Sequence, residues 1–241
     1  MAAAFVLFAT WIILGMPAAL IGIPLALFTH DMGPLYRWSM AIVRVGLRLA
    51  GIRIEACWAS PPDPSRRYIF LSNHVSNLDP PVLFPLLPGR ASAFVKRSLM
   101  KIPVLGYGMQ LAEFIPVDRD GRVESAAESV QTAARVLASG FHILSFVEGT
   151  RSRDGRLQPF KKGPFFLAME TGAPVIPVSM YGTESMMKKG SMKIFPGTAH
   201  VAFHEPILPR DYATREDLMD AVRAAIASGL PDWMRNEVPG S

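Results

Sequence analysis

An imidazole and a carboxylate, those of His74 and Asp79, follow closely after an apolar run that ends at Leu71. A carboxylate that accepts a hydrogen bond from the Nδ1–H of a histidine fixes the ring tautomer and leaves Nε2 available to take a proton from an alcohol. Such a proton transfer typically accelerates a reaction by about 10²–10⁴. His74 and Asp79 therefore predict a general base for hydroxyl chemistry, and a purely structural histidine–carboxylate pair is the alternative.

The spacing of His74 and Asp79 restricts where each of them lies. Residues five apart on one continuous helix point about 140° away from each other, so the pair requires His74 in a loop and Asp79 on the helical turn that follows. Two helix starts satisfy this requirement: Ser76 as N-cap with Asp79 three residues on, or Asp79 itself as the cap before Pro80 and Pro81. Either start turns the carboxylate back toward the imidazole.

A second polar cluster follows another apolar run and consists of Glu148, Gly149, Thr150 and Arg151. An acid, a hydroxyl and a guanidinium suit the recognition of hydroxyl and phosphate groups, and a glycine lets the backbone approach a ligand closely. Arg119 follows a third apolar run, and its planar guanidinium suits a phosphate bound through two parallel hydrogen bonds. The alternative for the cluster is an ordinary polar turn with a surface ion pair, and the alternative for Arg119 is a solvated side chain.

These clusters need a scaffold that brings strand ends side by side, and the chain after Gly51 has the pattern of one. Short apolar strands alternate with helices, which is typical of an α/β fold with a mixed, largely parallel sheet flanked by helices. Sites in such sheets collect at the strand-to-helix edge. The predicted strands are Tyr68–Ser72, Ala93–Lys96, Phe114–Val117, Ile143–Val147, Pro174–Met180 and Ala199–Phe203. The predicted helices run from about Val123 to Ala138, and from a Thr214 N-cap with Asp217 as capping-box partner to Gly229.

The N-terminal segment is a different kind of sequence. Residues 2–28 contain no charged side chain, and as one straight helix they would be roughly 40 Å long, more than the ~30 Å hydrocarbon core of a bilayer. Pro17 and Pro24 interrupt a straight rod, so a tilted span and a kinked or re-entrant pair of helices both remain open. The segment predicts attachment to a membrane. A cleaved signal peptide is disfavoured because no Lys or Arg precedes the run.

A basic, amphipathic stretch from Pro34 to Ala50 follows the apolar segment. Arg37, Arg44 and Arg48 recur there at helical spacing among apolar residues, which is typical of a helix in a membrane interface. A helix packed against the domain is the alternative. Because Lys and Arg are absent from residues 2–36, the positive-inside rule predicts that the rest of the chain is cytoplasmic. We predict two parts: residues 1–50 as membrane segment and interfacial helix, and residues 51–241 as catalytic domain.

The composition excludes several classes of protein. With 50% hydrophobic and 19% charged residues among 241, the chain is not intrinsically disordered. A single cysteine excludes an internal disulfide and a zinc site built from several cysteines. The net charge of +5 suits a phosphate-bearing substrate or an acidic bilayer. We expect no nucleic acid partner, because the basic residues come with neither an RNA-binding aromatic signature nor a recognition helix.

In combination, the polar clusters resemble the sequence blocks of the glycerolipid acyltransferases, and most closely those of the 1-acyl-sn-glycerol-3-phosphate acyltransferase branch. Asn73 and His74 with Ser76 and Asp79 match the first block, NHxSxxD. The second, third and fourth blocks are matched, in the family's order, by Phe114–Arg119, Phe146–Ser152 (FxEGTRS) and Val175–Val178.

The resemblance implies a reaction as well as a fold. It implies transfer of a fatty acyl group from acyl-CoA or acyl-carrier protein to the sn-2 hydroxyl of lysophosphatidic acid, which gives phosphatidic acid without a cofactor or metal and without an acyl-enzyme. His74 is then the base and Asp79 its orienting carboxylate. The residues implied or predicted to contact substrate are Arg119 and Arg151 for the phosphate, Glu148 and Gly149 for the glycerol, and Asn73, Ser76, Thr150 and Lys101.

The implied location is a membrane, the inner membrane if the protein is bacterial, with the lipid bilayer as partner and the catalytic domain on the cytoplasmic face. Two alternatives stay open. One is acylation of glycerol 3-phosphate or another lysophospholipid, and the other is a catalytically inactive lipid-binding membrane protein.

Overall fold

The computed structural model describes residues 2–102, 105–118, 123–188 and 190–235. Its strands are β1 (Ile52–Trp58), β2 (Ile69–Ser72), β3 (Ala91–Lys96), β4 (Ile115–Val117), β5 (His142–Phe146), β6 (Val175–Tyr181) and β7 (Gly197–Phe203). Its α-helices are α1 (Ala2–Thr29), α2 (Gly33–Leu49), α3 (Asp79–Leu83), α4 (Leu105–Leu111), α5 (Val123–Ala138), α6 (Gly163–Thr171), α7 (Thr183–Met186) and α8 (Arg215–Ser228). Short 3₁₀ helices lie at Phe84–Leu86, Arg97–Lys101, Pro209–Asp211 and Asp232–Met234.

The strands form one sheet in the order β1-β7-β6-β2-β5-β3-β4. β2 runs parallel to both of its neighbours, and β3 runs parallel to β5 and to β4. Phe70 in β2 lies level with Leu144 of β5 and Ile176 of β6. The carboxyl ends of these five strands therefore meet at one edge of the sheet. The prediction of a mixed, largely parallel sheet flanked by helices is confirmed.

The side chains of β2 are buried on both faces of the sheet, as its central position requires. Ile69, Phe70 and Leu71 are each 0% exposed, as in strands whose two faces are both covered. β1 is not among the predicted strands, although residues 52–55 alternate apolar and charged side chains as a half-buried strand does. The end of β1 is held by the ring of Trp58, which stacks on Phe203 of β7 with centroids 3.8 Å apart.

The backbone contacts divide the chain into two compact units. The first comprises Met1–Ala56, Val75–Leu87 and Met180–Val201, and the second comprises Cys57–His74, Pro88–Ser179 and Ala202–Ser241. The first unit contains α1, α2, α3 and α7. In the second unit α5 packs against α6 and β4, and α6 packs against β2 and α8.

Helices α1 and α2 of the first unit form an antiparallel hairpin. Gly46, near the end of α2, lies against Trp11 and Leu7 near the start of α1. Gly22, near the end of α1, lies against Leu35 at the start of α2, where an added Cβ would come within 2.7 Å of the leucine side chain. Glycines at these two positions let the helices approach closely.

The apolar segment is a single continuous helix, although Pro17 and Pro24 lie inside it. Among the described residues, α1 is the one helix that is long and apolar enough to cross a membrane by length and composition. The helix ends at Thr29, and α2 begins at Gly33, one residue before the predicted start. Residues 2–28 therefore do not divide into a pair of helices.

Both helices for which the sequence predicts a start and an end are present. α5 has the predicted bounds Val123–Ala138, and the chain leaves it through Gly140 with φ of 98°. α8 begins after Thr214, whose side chain accepts a hydrogen bond from the N–H of Asp217 at 3.1 Å in a capping box. Capping chemistry thus fixes the start of α8 as predicted.

Candidate active site

His74 lies half-buried in the loop directly after β2. Its ring stacks on Phe146 at the end of β5, with centroids 4.0 Å apart and an angle of 21° between the planes. Its backbone carbonyl accepts a hydrogen bond from the N–H of Ser152 at 2.8 Å. Because Phe146 and Ser152 belong to the third block, the fold brings the first and third blocks together at the carboxyl edge of the sheet. Asn73, the preceding residue, is 1% exposed.

The loop after β5 makes a tight turn that only glycine fits well. Gly149 has φ of 70°, and a Cβ added there would lie 3.0 Å from Cγ of Lys161. The N–H of Gly149 donates to the carbonyl of Phe146 at 3.0 Å, and the N–H of Lys161 donates to that of Val147 at 2.7 Å. The backbone of the third block is therefore fixed beside the end of β5.

The remaining side chains of the third block differ in exposure. Glu148 is 3% exposed, whereas Arg151 is half-buried and Thr150 is exposed. The loop beyond them is anchored by Asp154, where hydrogen bonds from the N–H of Arg156 and the hydroxyl of Ser152 hold the pKa of the carboxyl below its usual range. The block thus presents a basic surface next to a buried acid.

Asp79 is the first residue of α3 and is 0% exposed. Its Oδ2 accepts hydrogen bonds from the N–H groups of Val75 at 2.7 Å and Ser76 at 2.8 Å. Its Oδ1 accepts a hydrogen bond from the hydroxyl of Thr183 at 2.5 Å. Both carboxylate oxygens are therefore held by donors of the first unit. His74 in the loop and Asp79 on the next helical turn are placed as predicted.

Both predicted helix starts are wrong, because the cap of α3 is Leu78 and no side chain caps it. The hydroxyl of Ser76 instead donates to the carbonyl of Met187 at 2.9 Å and accepts from the N–H of Leu78 at 3.3 Å. One half of the predicted capping box does form, since the Asp79 carboxylate accepts from the N–H of Ser76. The carboxylate points back along the chain, as either predicted start requires.

The second block is only partly described. Ile115–Val117 forms β4 parallel to β3, and Asp118 accepts a hydrogen bond from Nε of Arg97 at 2.7 Å. Arg119 lies outside the described residues. Lys101 ends the 3₁₀ helix after β3 and is exposed. The fourth block, Val175–Val178, is buried within β6 and pairs with β2.

The residues after β6 were not predicted as part of the site. Thr183 is 0% exposed and contacts the Asp79 carboxylate. Beside it, burial raises the pKa of Glu184, and the negative charge of Asp79 raises it further. No signal in the sequence marks Thr183, since it lies 104 residues from Asp79 and outside the four blocks. Among the residues that the structure describes, no group of three or more His, Cys, Asp and Glu side chains is arranged to hold a metal ion.

Residues 56–181 match the family model described as Acyltransferase. A chloroplastic 1-acyl-sn-glycerol-3-phosphate acyltransferase of Brassica napus is 36% identical over 70% of this chain and 48% of its own length. The alpha form of the same enzyme from Homo sapiens is 32% identical over 77% of this chain and 68% of its own length. An enzyme of that name from Limnanthes douglasii is 30% identical over 85% of this chain and 69% of its own length.

The fold also has a solved counterpart. The crystal structure of the 1-acyl-sn-glycerophosphate (LPA) acyltransferase PlsC from Thermotoga maritima superposes with a TM-score of 0.73 at 24% identity, over 95% of this chain and 93% of that one. The chain spans about half the length of two of the curated relatives, those from Brassica napus and Chlamydomonas reinhardtii, at 48% and 50%. The matched model covers more than half of this chain, and the human relative is matched over two thirds of its length. The chain therefore belongs to the acyltransferase family.

Proposed function

We propose that the chain is an O-acyltransferase that moves a fatty acyl group to the sn-2 hydroxyl of lysophosphatidic acid and so forms phosphatidic acid. The observation that carries the proposal is the fixed placement of His74 at the carboxyl edge of the sheet, where Phe146 stacks on its ring and Ser152 binds its backbone. The names of the relatives support this acceptor. The acyl donor in this proposal is a thioester of coenzyme A or of acyl-carrier protein.

In the proposed reaction His74 is the general base. Its Nε2 takes the proton of the acceptor hydroxyl while the hydroxyl oxygen bonds to the carbonyl carbon of the thioester. The tetrahedral intermediate collapses by breaking the carbon–sulfur bond, and the imidazolium returns the proton to the leaving thiolate. The acyl group passes directly to the acceptor, so no acyl-enzyme forms. Asp79 holds the Nδ1–H and stabilises the imidazolium.

The acceptor is proposed to bind along the second and third blocks. Arg151 and Arg119 hold the phosphate, because a guanidinium binds phosphate oxygens through charge-assisted hydrogen bonds. Glu148 and the backbone at Gly149 position the glycerol part. Thr150 and Lys101 are exposed polar groups that we assign to the same acceptor. Asn73 and Ser76, which the sequence predicts to contact substrate, are buried, and the Ser76 hydroxyl donates to the carbonyl of Met187. We assign these two residues instead to the support of the loop that carries the base.

Arg151 and Arg153 make a matched pair for testing the acceptor site, since they lie on one loop and Arg153 is the more exposed. Arg151→Ala should raise the KM for lysophosphatidic acid about tenfold or more, the effect of losing a hydrogen bond worth about 1.5–3 kcal/mol to a charged group. The KM for the thioester should change little, and Arg153→Ala should behave like the wild type. Equal effects on both substrates would contradict the assignment of Arg151.

The N-terminal hairpin is proposed to attach the protein to a bilayer. Apolar side chains of α1 such as Ile13 and Leu20 are 67% and 71% exposed. Because α2 runs antiparallel along α1, an upright α1 would carry Arg44 and Arg48 toward the hydrocarbon, where an arginine costs about 2.5–3.5 kcal/mol. We therefore place α1 within one leaflet, with the arginines of α2 among the headgroups of the cytoplasmic face.

Lipid-vesicle flotation tests this attachment. Replacing Ile13 and Leu20 together by Asp should release the protein from vesicles that contain anionic lipid, because both side chains are exposed and make the apolar surface. The control is Met169→Asp, an exposed apolar residue of α6 in the second unit, which should leave flotation unchanged. Unchanged flotation of the α1 variant would show that the attachment lies elsewhere.

The activity is tested by mixing purified protein and acyl-CoA with either lysophosphatidic acid, glycerol 3-phosphate or a lysophospholipid without a terminal phosphate. We expect thiol release to require lysophosphatidic acid and to match phosphatidic acid formation mole for mole. A faster reaction with another acceptor would replace the proposed substrate, and thiol release with no acceptor dependence would exclude the proposed reaction. A burst of thiol with donor alone, equal to the enzyme concentration, would contradict direct transfer.

A further inference from the structure

We propose that Thr183 is a positioning residue, whose hydroxyl fixes the orientation of the Asp79 carboxylate, an inference that rests on the proposed function of Asp79. The hydroxyl of Thr183 donates to Oδ1 of Asp79 at 2.5 Å. Both residues are 0% exposed, so water does not compete for this hydrogen bond. A hydrogen bond to a charged acceptor in a dry site is stronger than one between neutral groups.

The other oxygen of the carboxylate explains why the Thr183 contact fixes an orientation. Oδ2 accepts from the N–H groups of Val75 and Ser76. Those two donors belong to the loop itself and define only one side of the carboxylate. With the Thr183 donor on Oδ1, rotation of the carboxylate about its Cβ–Cγ bond breaks hydrogen bonds at both oxygens.

The backbone around Thr183 holds the hydroxyl in place. The chain leaves β6 through Gly182, whose φ is 95° and whose position beside the carbonyl of Thr198 has no room for a side chain. Thr183 then begins α7, and its carbonyl accepts from the N–H of Met187 at 3.0 Å. At the other end of α7, the carbonyl of Met187 accepts from the hydroxyl of Ser76. Two hydrogen bonds therefore tie α7 to the loop of the first block.

The neighbouring charges favour the same role. Burial raises the pKa of Glu184, and the Asp79 charge raises it further, while His200 lowers it. A carboxylate close to a second acid is stabilised by each donor that points at it. The Thr183 hydroxyl is such a donor for Asp79, and it comes from a segment distant in sequence.

Three variants test the proposal by steady-state kinetics with acyl-CoA and lysophosphatidic acid. Thr183→Val removes the hydroxyl with little change of shape, and we expect kcat to fall about tenfold or more with both KM values within about twofold. Thr183→Ser keeps a hydroxyl and should keep kcat within about threefold. The control is Ser179→Ala in β6, which removes a hydroxyl that is 1% exposed and contacts His204 and the carbonyl of Ile226. Its kcat should match that of the wild type.

A double substitution distinguishes positioning from a general effect on the fold. If Thr183 acts through Asp79, Thr183→Val should lower kcat no further in an Asp79→Asn background. Losses that multiply, a wild-type kcat in Thr183→Val, or a loss that Thr183→Ser fails to restore would each overturn the proposal. These outcomes differ from failure of the proposed function, in which the wild type forms no phosphatidic acid or Asp79→Asn retains full activity.

Discussion

Replacing Asp79 by Asn and by Ala should separate the chemistry of this carboxylate from its part in the fold. The carboxylate accepts hydrogen bonds from Val75, Ser76 and Thr183. Asparagine keeps an oxygen for the two backbone N–H groups, and its amide can donate to the Thr183 hydroxyl, which is able to accept as well as donate. Alanine leaves all three donors without their acceptor in a site that is 0% exposed.

The two substitutions therefore differ in stability but not in activity. Each buried donor left without a partner costs about 1–3 kcal/mol, so Asp79→Ala should lower the free energy of unfolding by about 3 kcal/mol or more. Asp79→Asn should lower it by about 1 kcal/mol, since hydrogen bonds to a neutral acceptor are weaker. Both variants lose the carboxylate that would fix the histidine tautomer and stabilise an imidazolium. In a serine protease the corresponding Asp-to-Asn change costs about 10⁴ in kcat, because the histidine takes the wrong tautomer.

Urea unfolding in detergent gives the two free energies, and thiol release with lysophosphatidic acid gives the two rates. The expected result is two nearly inactive proteins, of which only Asp79→Ala is clearly destabilised. Equal stability of the two variants would contradict the hydrogen-bond arrangement around Asp79. A rate of Asp79→Asn within tenfold of the wild type would contradict its proposed role with the base.

Three other sets of variants test the loop after β5, the burial of His142 and the α1–α2 hairpin. Gly149→Ala should destabilise the protein by about 1–2 kcal/mol in urea unfolding, because φ is 70° there. The control is Gly163→Ala, which has open space around it and should not destabilise the protein. Equal effects of the two substitutions would contradict the left-handed backbone at Gly149. Burial lowers the pKa of His142 from 6.5 to about 4, so the unfolded chain binds the proton more readily. The contribution of His142 to the free energy of unfolding is therefore fully present above pH 6.5. The free energy of unfolding should fall by about 3 kcal/mol as the pH drops toward 4, and His142→Asn should lack this pH dependence. Gly46→Leu should lower the thermal unfolding temperature in detergent by forcing the α1–α2 hairpin apart, while Ala41→Leu on the exposed side of α2 should leave it unchanged.

The sequence predicts the strands of the sheet well where they are buried on both faces. Ile69–Ser72 and Val175–Tyr181 are continuous runs of mostly apolar residues, and both are strands within two residues of the predicted bounds. β1 carries a recognisable signal as well, since residues 52–56 alternate apolar and charged side chains, but it is not among the predicted strands. The short helix α7 escaped prediction too, since four residues carry no helical period.

The site is readable only where its residues are close in sequence. His74 and Asp79 are recognisable because their types and spacing suit one loop and one helical turn. The contact of Thr183 with Asp79 depends on how β6 turns into α7, and the hydroxyl of Ser76 binds the carbonyl of Met187, 111 residues away. Such pairings are set by the packing of distant segments, which no local pattern of one sequence encodes.

His74 is proposed to remove the proton of the acceptor hydroxyl, and the rate of phosphatidic acid formation by His74→Ala tests this role. The rate is measured from acyl-CoA and lysophosphatidic acid after circular dichroism has shown that the variant is folded, which we expect because the His74 ring lies half-buried in a loop. We expect the rate to fall by about 10²–10⁴ relative to the wild type. A folded His74→Ala protein that forms phosphatidic acid within tenfold of the wild-type rate would show that His74 is not the general base.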